Sequence, residues 1–148
     1  MKELNYSFLK EEISKTLKEM KEIVISTSFK DQVTSRTVYC FSDGESLFFI
    51  TSKAYTKYKQ IIKNPKVAVC KEKMQIEGIA EIIGHPSEFE MNIEDEGTKN
   101  YISHYSRLKN TVLIKVKPKK ITIYKGPGHY YYMLIDEEKA FSKGKDRI

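Results

Sequence analysis

Three consecutive stretches of β-branched and aromatic residues, separated by short turns, constrain the fold of this chain most strongly. They cover residues 23–29, 34–41 and 46–51, and such residues favour extended structure. The intervening turns are predicted at residues 31–32 and 43–44. The second of them is Asp-Gly, a pair typical of a tight hairpin because glycine tolerates a positive φ. We therefore expect an antiparallel meander of three strands.

The remainder of the chain also favours strands, with helices between some of them. An amphipathic helix is predicted over residues 7–20, where apolar residues recur at helical spacing and Ser7 is a suitable N-cap. A short helix over residues 55–63 follows the third strand and ends at Asn64-Pro65. The further predicted elements are strands over residues 66–71 and 74–83, a helical excursion within 86–108, and strands over 111–117, 121–124 and 130–135.

The order of these elements predicts the fold class. No alternation of strand, helix and parallel strand runs through the chain, so a doubly wound sheet is disfavoured. Six or more short strands with tight turns favour a mainly β fold, a small antiparallel barrel with flanking helices. The length predicts a single domain over residues 1–148, with a polar tail at residues 142–148.

The composition disfavours nucleic acid as a partner. The chain has 26 Lys or Arg and 20 Asp or Glu, which gives a formal net charge of +6. Most of the cations are lysines, whereas base recognition and bidentate phosphate contacts favour arginine. A barrel that binds single-stranded RNA through aromatic residues and lysines remains an alternative.

The sequence also allows predictions about cellular location and metal binding. No apolar run approaches the ~20 residues of a membrane helix, and the N-terminus lacks the pattern of a secretory signal. We therefore expect a cytoplasmic protein without a membrane partner. Cys40, Cys70 and the three histidines lack zinc-like spacing, so we expect no metal site and two reduced, buried thiols.

Hydroxyl and ammonium groups gather where the third predicted strand runs into the short helix. Thr51, Ser52, Lys53 and Lys57 lie there, and the second hairpin places Arg36 beside the same strand. Hydroxyls, cations and the free N–H groups of a helix start are the groups that bind phosphate. The same charges also suit a solvated surface, so the residues alone leave both interpretations open.

Five segments of the chain occur in an order and at spacings typical of one family. They are residues 35–38 (Ser-Arg-Thr-Val), 47–52, 57–69, 76–81 and 116–126. Together they span most of residues 8–126, and they resemble the FMN-binding split barrels related to pyridoxamine 5′-phosphate oxidase. The resemblance implies a six-stranded antiparallel split barrel. It also implies a homodimer that binds FMN at the interface between its subunits.

The resemblance assigns roles to the candidate anion site. Arg36, Thr51 and Lys57 match the positions that hold the flavin phosphate in the family. Ser52 and Lys53 are adjacent donors, which we include on physical grounds. No catalytic side chain is expected, because the cofactor itself carries the redox chemistry in such proteins.

Other positions are expected beside the flavin ring. The backbone from Arg36 through Thr37 and Val38 would run along the flavin edge, and Ile50 precedes the phosphate-binding threonine. Gln75 could offer a donor and an acceptor to the pyrimidine part of the ring, although an exposed polar residue on a strand is the alternative. Tyr124 stands where the oxidases carry a tryptophan, and it could cover the flavin.

The chain departs from the oxidases where they bind substrate. Their Arg-Leu-x-x-Arg stretch corresponds here to Tyr-Tyr-Tyr-Met-Leu at residues 130–134, so oxidation of pyridoxamine phosphate itself is not expected. The sequence predicts an FMN-dependent oxidoreductase acting on an unknown small substrate. The alternatives are a non-catalytic flavin-binding, electron-carrying or stress-related protein, and a heme-binding or flavin-free relative.

Overall fold

Ten strands and three α-helices make up residues 1–144, the part of the chain that the structure, a computed structural model, describes. The strands are β1 (Lys2–Leu4), β2 (Glu22–Phe29), β3 (Gln32–Tyr39), β4 (Phe41–Asp43), β5 (Ser46–Ser52), β6 (Lys66–Lys71), β7 (Met74–Gly84), β8 (Thr111–Gly126), β9 (His129–Leu134) and β10 (Lys139–Lys143). The helices are α1 (Tyr6–Glu19), α2 (Thr56–Ile61) and α3 (Glu96–Ser106), with one 3₁₀ turn at Pro86–Glu88.

Six of these strands form an antiparallel split barrel, as expected. The hydrogen-bonded order is β3-β2-β6-β7-β8, and the first half of β8 also pairs with β5. The end strands β3 and β5 touch each other but share no ladder in the described sheet, so the barrel is not closed. β4 pairs with β5, while β9, β10 and β1 extend the sheet from the second half of β8.

The core fills the barrel and continues under two of the helices. Ile13 and Leu17 of α1 join the main cluster, in which Phe49 is fully buried. A second, smaller cluster lies beneath α3 and contains Phe48 and Ile50. None of the described helices combines the length and apolar character needed to cross a bilayer.

The pairing of β7 with β8 is irregular where Gly78 of β7 faces Pro118 of β8. The sequence predicted two strands separated by a corner at this proline, whereas the structure has the single strand β8 with a register shift beside it. Proline has no N–H to donate, and a bulge accommodates that loss without ending the strand. The absent side chain of Gly78 lets the two backbones approach closely.

Replacing Gly78 by alanine should therefore destabilise the fold. An added Cβ would lie 2.7 Å from the Lys117 carbonyl oxygen and 3.1 Å from a methyl group of Val116. We expect the free energy of unfolding to fall by about 1–3 kcal/mol, as for other overpacked sites. Denaturant unfolding measures the change. Gly97→Ala in α3 is the control, since its Cβ would meet no atom closer than 3.4 Å, and an equal loss there would contradict the argument.

Four other expectations need correction. The predicted three-strand meander was wrong, because the Asp43-Gly44 turn joins the short strand β4 to β5, while β3 pairs with β2 and not with β5. The helix predicted over residues 55–63 has only six residues, Thr56–Ile61. Residues 142 and 143 of the predicted polar tail belong to β10, where they pair with Tyr131 and Tyr130, and residues 145–148 lie outside the described part. Pairing with an existing strand edge, rather than burial, orders this polar segment. Cys40 is buried as expected, whereas Cys70 is exposed on β6.

Candidate functional site

A cleft of about 420 Å³ opens at the split in the barrel, between β3, β5 and the two helices α2 and α3. It is lined by Thr37, Val38, Tyr39, Ile50, Thr51, Ser52, Tyr55, Lys57, Tyr101, Tyr105, Leu108, Asn110 and Thr111. Six residues predicted as site residues are among them. A larger groove of about 1000 Å³ runs along α1, but it contains none of the predicted residues and mixes acidic with basic side chains.

The hydroxyl of Thr51 is the most unusual polar group in the cleft. The residue is only 2% exposed, and its Oγ1 has no hydrogen-bond partner among the described residues. A buried polar group without a partner costs about 1–3 kcal/mol, so native proteins rarely retain one. A ligand oxygen in the cleft would give this hydroxyl its partner.

Two cations, Lys57 and Arg36, lie close to one another; Lys57 lines the cleft with Thr51, whereas Arg36 is not among the lining residues. Lys57 is the second residue of α2, and its ammonium lies 4.7 Å from the ring centre of Tyr55. Burial lowers the pKa of Lys57, and the nearby charge of Arg36 lowers it further. Burial also lowers the pKa of Arg36. Neither side chain forms an ion pair within residues 1–144, so an anion between them would relieve both effects.

The helix itself contributes less to this anion site than the sequence suggested. α2 has six residues, and the side chain of its N-cap residue Tyr55 makes no capping hydrogen bond. The macrodipole of a helix is the sum over its aligned peptide units, and a helix this short therefore has only a small one. Attraction for an anion therefore depends on the side chains of Arg36, Thr51 and Lys57.

The other predicted residues divide into two groups. Thr37, Val38, Ile50 and Ser52 line the cleft with Thr51 and Lys57. Lys53 is exposed outside it, although its backbone N–H donates to the carbonyl of Asn110, a lining residue.

Gln75 and Tyr124 lie outside the cleft, on β7 and β8. Gln75 is exposed and pairs through Cys70 and Val24 with Thr37, so three strand spacings, about 14 Å, separate it from Thr37. Tyr124 is 36% exposed and packs against Tyr130 at 5.6 Å between ring centres. Their contacts with a flavin remain predictions.

The structure adds an aromatic wall that the sequence did not indicate. Tyr39, Tyr101 and Tyr105 line one side of the cleft, with ring centres 4.3 Å apart for the first pair and 5.0 Å for the second. The spacing of Tyr101 and Tyr105 predicted one face of a helix, but it carried no information about where that helix packs. Flat side chains of this kind suit a planar ligand.

Tyr101 also closes the open edge of the barrel. Its hydroxyl accepts a hydrogen bond from the Ile50 N–H at 2.8 Å and donates one to the Ile50 carbonyl at 3.1 Å. These backbone groups point away from β8 and have no neighbouring strand, because β3 and β5 do not pair. The Tyr101 hydroxyl thus provides a hydrogen-bond partner for both backbone groups of Ile50 at this strand edge, and it holds α3 over the cleft.

The titratable side chains that line the cleft are one lysine and four tyrosines. Its lining contains no His, Asp, Glu or Cys, and no group of three or more such residues that could hold a metal occurs within residues 1–144. The ammonium of Lys57, the unpartnered hydroxyl of Thr51 and the aromatic rings that line the cleft with them suit a planar ligand that carries a phosphate.

The family model for pyridoxamine 5′-phosphate oxidase matches residues 9–125 of the chain. No curated protein matches the sequence significantly.

Solved structures with the same fold have different ligands or roles in their names. General Stress Protein 26 from Bacillus anthracis is 23% identical, over 85% of this chain and 98% of that one, with a TM-score of 0.64. A pyridoxamine 5′-phosphate oxidase-related, FMN binding protein from Nostoc punctiforme is 15% identical over 95% of both chains, with a TM-score of 0.60. HutZ, the heme storage protein from Vibrio cholerae, is 14% identical over 78% of this chain and 94% of that one, with a TM-score of 0.55. At these identities the likeness shows the fold alone.

Proposed function

The chain belongs to the pyridoxamine 5′-phosphate oxidase family, and from this premise we propose that it is an FMN-binding flavoprotein that acts as an oxidoreductase on a small substrate. The flavin would supply hydride or electron transfer. The residues of the cleft would anchor its phosphate and orient its ring.

The Thr51 hydroxyl carries this proposal. It is buried, unpartnered and inside the cleft. It shares the cleft with Lys57, and neither Lys57 nor its neighbour Arg36 has an acidic partner in the described part of the chain. A phosphate dianion is an acceptor that matches all three groups at once, since charged oxygens form the strongest hydrogen bonds with Arg, Lys and hydroxyl donors. The tyrosine wall supports a planar ring beside it.

The substrate is proposed to differ from pyridoxamine phosphate. Residues 130–132 replace the arginine clamp of the oxidases with three tyrosines, and Tyr130 stacks on Tyr132 at 6.1 Å between ring centres. An aromatic surface of this kind lacks the paired guanidinium groups that hold a second phosphate. It favours a substrate with less negative charge.

A stress-related role and heme binding are the two alternatives to an FMN-dependent oxidoreductase. The name of the stress-protein neighbour points to a stress-related role, with or without turnover of a substrate. The heme-storage relative supports heme, but all three histidines of this chain lie in the described part and none lines the cleft. Both ring nitrogens of His85 are also within hydrogen-bond distance of Ser87 Oγ and the Leu108 carbonyl. These contacts favour flavin over an iron-ligating histidine.

A homodimer and a cytoplasmic location are part of the proposal. Val24 and Val33 are 39% and 69% exposed on β2 and β3, close to the strand that supplies Thr37 to the cleft. Burial of such side chains against a second copy would place the flavin at the interface, as predicted from the resemblance. Sedimentation equilibrium tests the dimer.

The decisive experiment measures flavin binding by the purified protein. We expect a yellow protein, or a colourless one that takes up FMN far more tightly than riboflavin, which lacks the phosphate. Reduction of bound FMN by NADH or NADPH, with turnover on an added acceptor, would support an enzyme. Absence of any flavin binding would overturn the proposal, and bound flavin that is never reduced would leave only the binding role.

Replacing Thr51 by valine should have opposite effects on the free protein and on the complex. Loss of a buried, unpartnered hydroxyl should raise the free energy of unfolding without ligand by about 1 kcal/mol. Loss of the same hydroxyl should weaken FMN binding about fivefold, the equivalent of one hydrogen bond. Denaturant unfolding and flavin titration measure the two effects.

Thr111→Val is the matched control. Thr111 is equally buried in the same cleft, but its hydroxyl lies within hydrogen-bond distance of the carbonyls of Tyr105 and Leu108, at 2.9 and 3.1 Å. This substitution should therefore destabilise the free protein. If both variants are destabilised alike, Thr51 has a partner in solution and the argument from its hydroxyl fails.

A further inference from the structure

A buried hydrogen-bond network connects α2 to Arg36. Gln60 of α2 is 6% exposed and Thr27 of β2 is 1% exposed. The Gln60 Oε1 atom accepts hydrogen bonds from the hydroxyls of Thr27, at 2.6 Å, and of Thr34, at 2.7 Å. Arg36 Nη1 donates to Thr27 Oγ1 at 2.9 Å, and Arg36 Nη2 donates to Thr34 Oγ1. The two threonines thus lie between the glutamine and the guanidinium.

The direction of these hydrogen bonds is determined by Gln60. Its Nε2 atom donates to the Gln32 carbonyl at 3.4 Å, which leaves Oε1 facing the threonines. A hydroxyl has one proton and two lone pairs. Because each threonine gives its proton to Gln60, each has only lone pairs to offer Arg36, and both hydroxyls act as acceptors for a cation.

Some N–H groups of Arg36 are not used in this network. A guanidinium has five N–H groups. Three are used here, since Nη1 also donates to the Ile25 carbonyl at 3.2 Å, and the threonines take one each. The Nε–H and the remaining Nη2–H have no acceptor within residues 1–144. In a guanidinium, the Nε–H and one Nη2–H are parallel, and this pair is the bidentate edge that carboxylates and phosphates bind.

We propose that Gln60 is a positioning residue for the phosphate site, acting through Thr27 and Thr34 to hold one edge of Arg36 and present the other to the anion. The inference rests on the proposed function, because the anion is the FMN phosphate. Without the amide oxygen of Gln60, the hydroxyls of Thr27 and Thr34 can rotate toward other acceptors, and the guanidinium loses its fixed orientation.

The test compares FMN with riboflavin for a set of variants. Gln60→Leu removes the acceptor, and Thr34→Val removes one of the two linking hydroxyls at a half-buried position where valine suits a strand. We expect each to weaken FMN binding about tenfold, the loss of one charge-assisted hydrogen bond, with riboflavin affinity unchanged. The double variant should lose no more than the larger single loss, since both act on one network.

Two further variants separate positioning from general damage. Thr34→Ser keeps the hydroxyl and should retain wild-type FMN affinity. Ser35→Ala removes the neighbouring hydroxyl of β3, which pairs with Ser26 at 2.7 Å instead of contacting Arg36, and should also leave FMN affinity unchanged. Thermal unfolding without ligand confirms that each variant is folded.

The outcomes are distinct. A fall in FMN affinity alone for Gln60→Leu and Thr34→Val, with recovery in Thr34→Ser, supports the proposal. An unchanged preference for FMN over riboflavin in both variants overturns it while the proposed function stands. Equal losses for the two flavins also overturn it, since they indicate a structural role. A wild-type protein without preference for FMN overturns the proposed function and this inference with it.

Discussion

Replacing both Arg36 and Lys57 by alanine is expected to weaken FMN binding by about 2–5 kcal/mol, with each single substitution costing about 1–3 kcal/mol. The two cations lie close enough that the charge of Arg36 lowers the pKa of Lys57, so each destabilises the other until an anion binds. Riboflavin has no phosphate, and its affinity should change little. Titration of each variant with both flavins measures the effect.

Lys59→Ala is the matched control for this prediction. Lys59 carries the same charge on the same helix, but it is exposed and does not line the cleft. We expect a change below about 0.5 kcal/mol, as for other surface substitutions. A loss as large as that of Lys57→Ala would show that net positive charge, rather than a defined phosphate site, attracts the ligand.

Replacing Tyr101 by phenylalanine is expected to lower the free energy of unfolding by about 2–4 kcal/mol. The phenol is the partner of both the N–H and the carbonyl of Ile50, a residue only 5% exposed. Each buried backbone group left without a partner costs about 1–3 kcal/mol. Since Tyr101 also fixes α3 against β5, flavin affinity should fall as well. Denaturant unfolding gives the stability change.

Tyr105→Phe distinguishes this effect from the loss of a tyrosine hydroxyl in general. Tyr105 lies one turn further along α3 and lines the same cleft, and its side-chain hydroxyl has no hydrogen bond among the described contacts. The substitution should be nearly neutral. If Tyr101→Phe lowers the free energy of unfolding as little as Tyr105→Phe does, water replaces the phenol at Ile50, and the open strand edge does not depend on Tyr101.

Most residues of the proposed anion site could be selected from the sequence because they are close together in it. Thr51 and Ser52 lie at the end of β5, and Lys57 follows them in the first turn of α2. Local order of this kind survives any packing of the remaining chain. Arg36 lies on β3, which does not pair with β5, so packing rather than the predicted hairpin brings it near Lys57. The predicted strand break at Pro118 was wrong for the converse reason, since only the partner strand and Gly78 determine whether a proline ends a strand or lies at a bulge.

The network behind Arg36 could not be predicted in the same way. It consists of ordinary strand and helix residues, Thr27, Thr34 and Gln60, which come together only when α2 packs against β2. Their roles depend on the hydrogen bonds that this packing creates. The aromatic wall is a similar case, because Tyr39 and Tyr101 are 62 positions apart (101 − 39) in the sequence.

The sequence by itself determined that this is a mainly β protein of the pyridoxamine 5′-phosphate oxidase family, and it identified the hydroxyls and cations suited to a phosphate. These features depend on residue type, alternation and short spacing, which a chain shows before it folds. Only the tertiary structure decided which of those residues share a cleft, that the Thr51 hydroxyl has no described partner, and that Gln60 orients Arg36. Such properties arise from burial and from contacts between distant segments, and no local pattern encodes them.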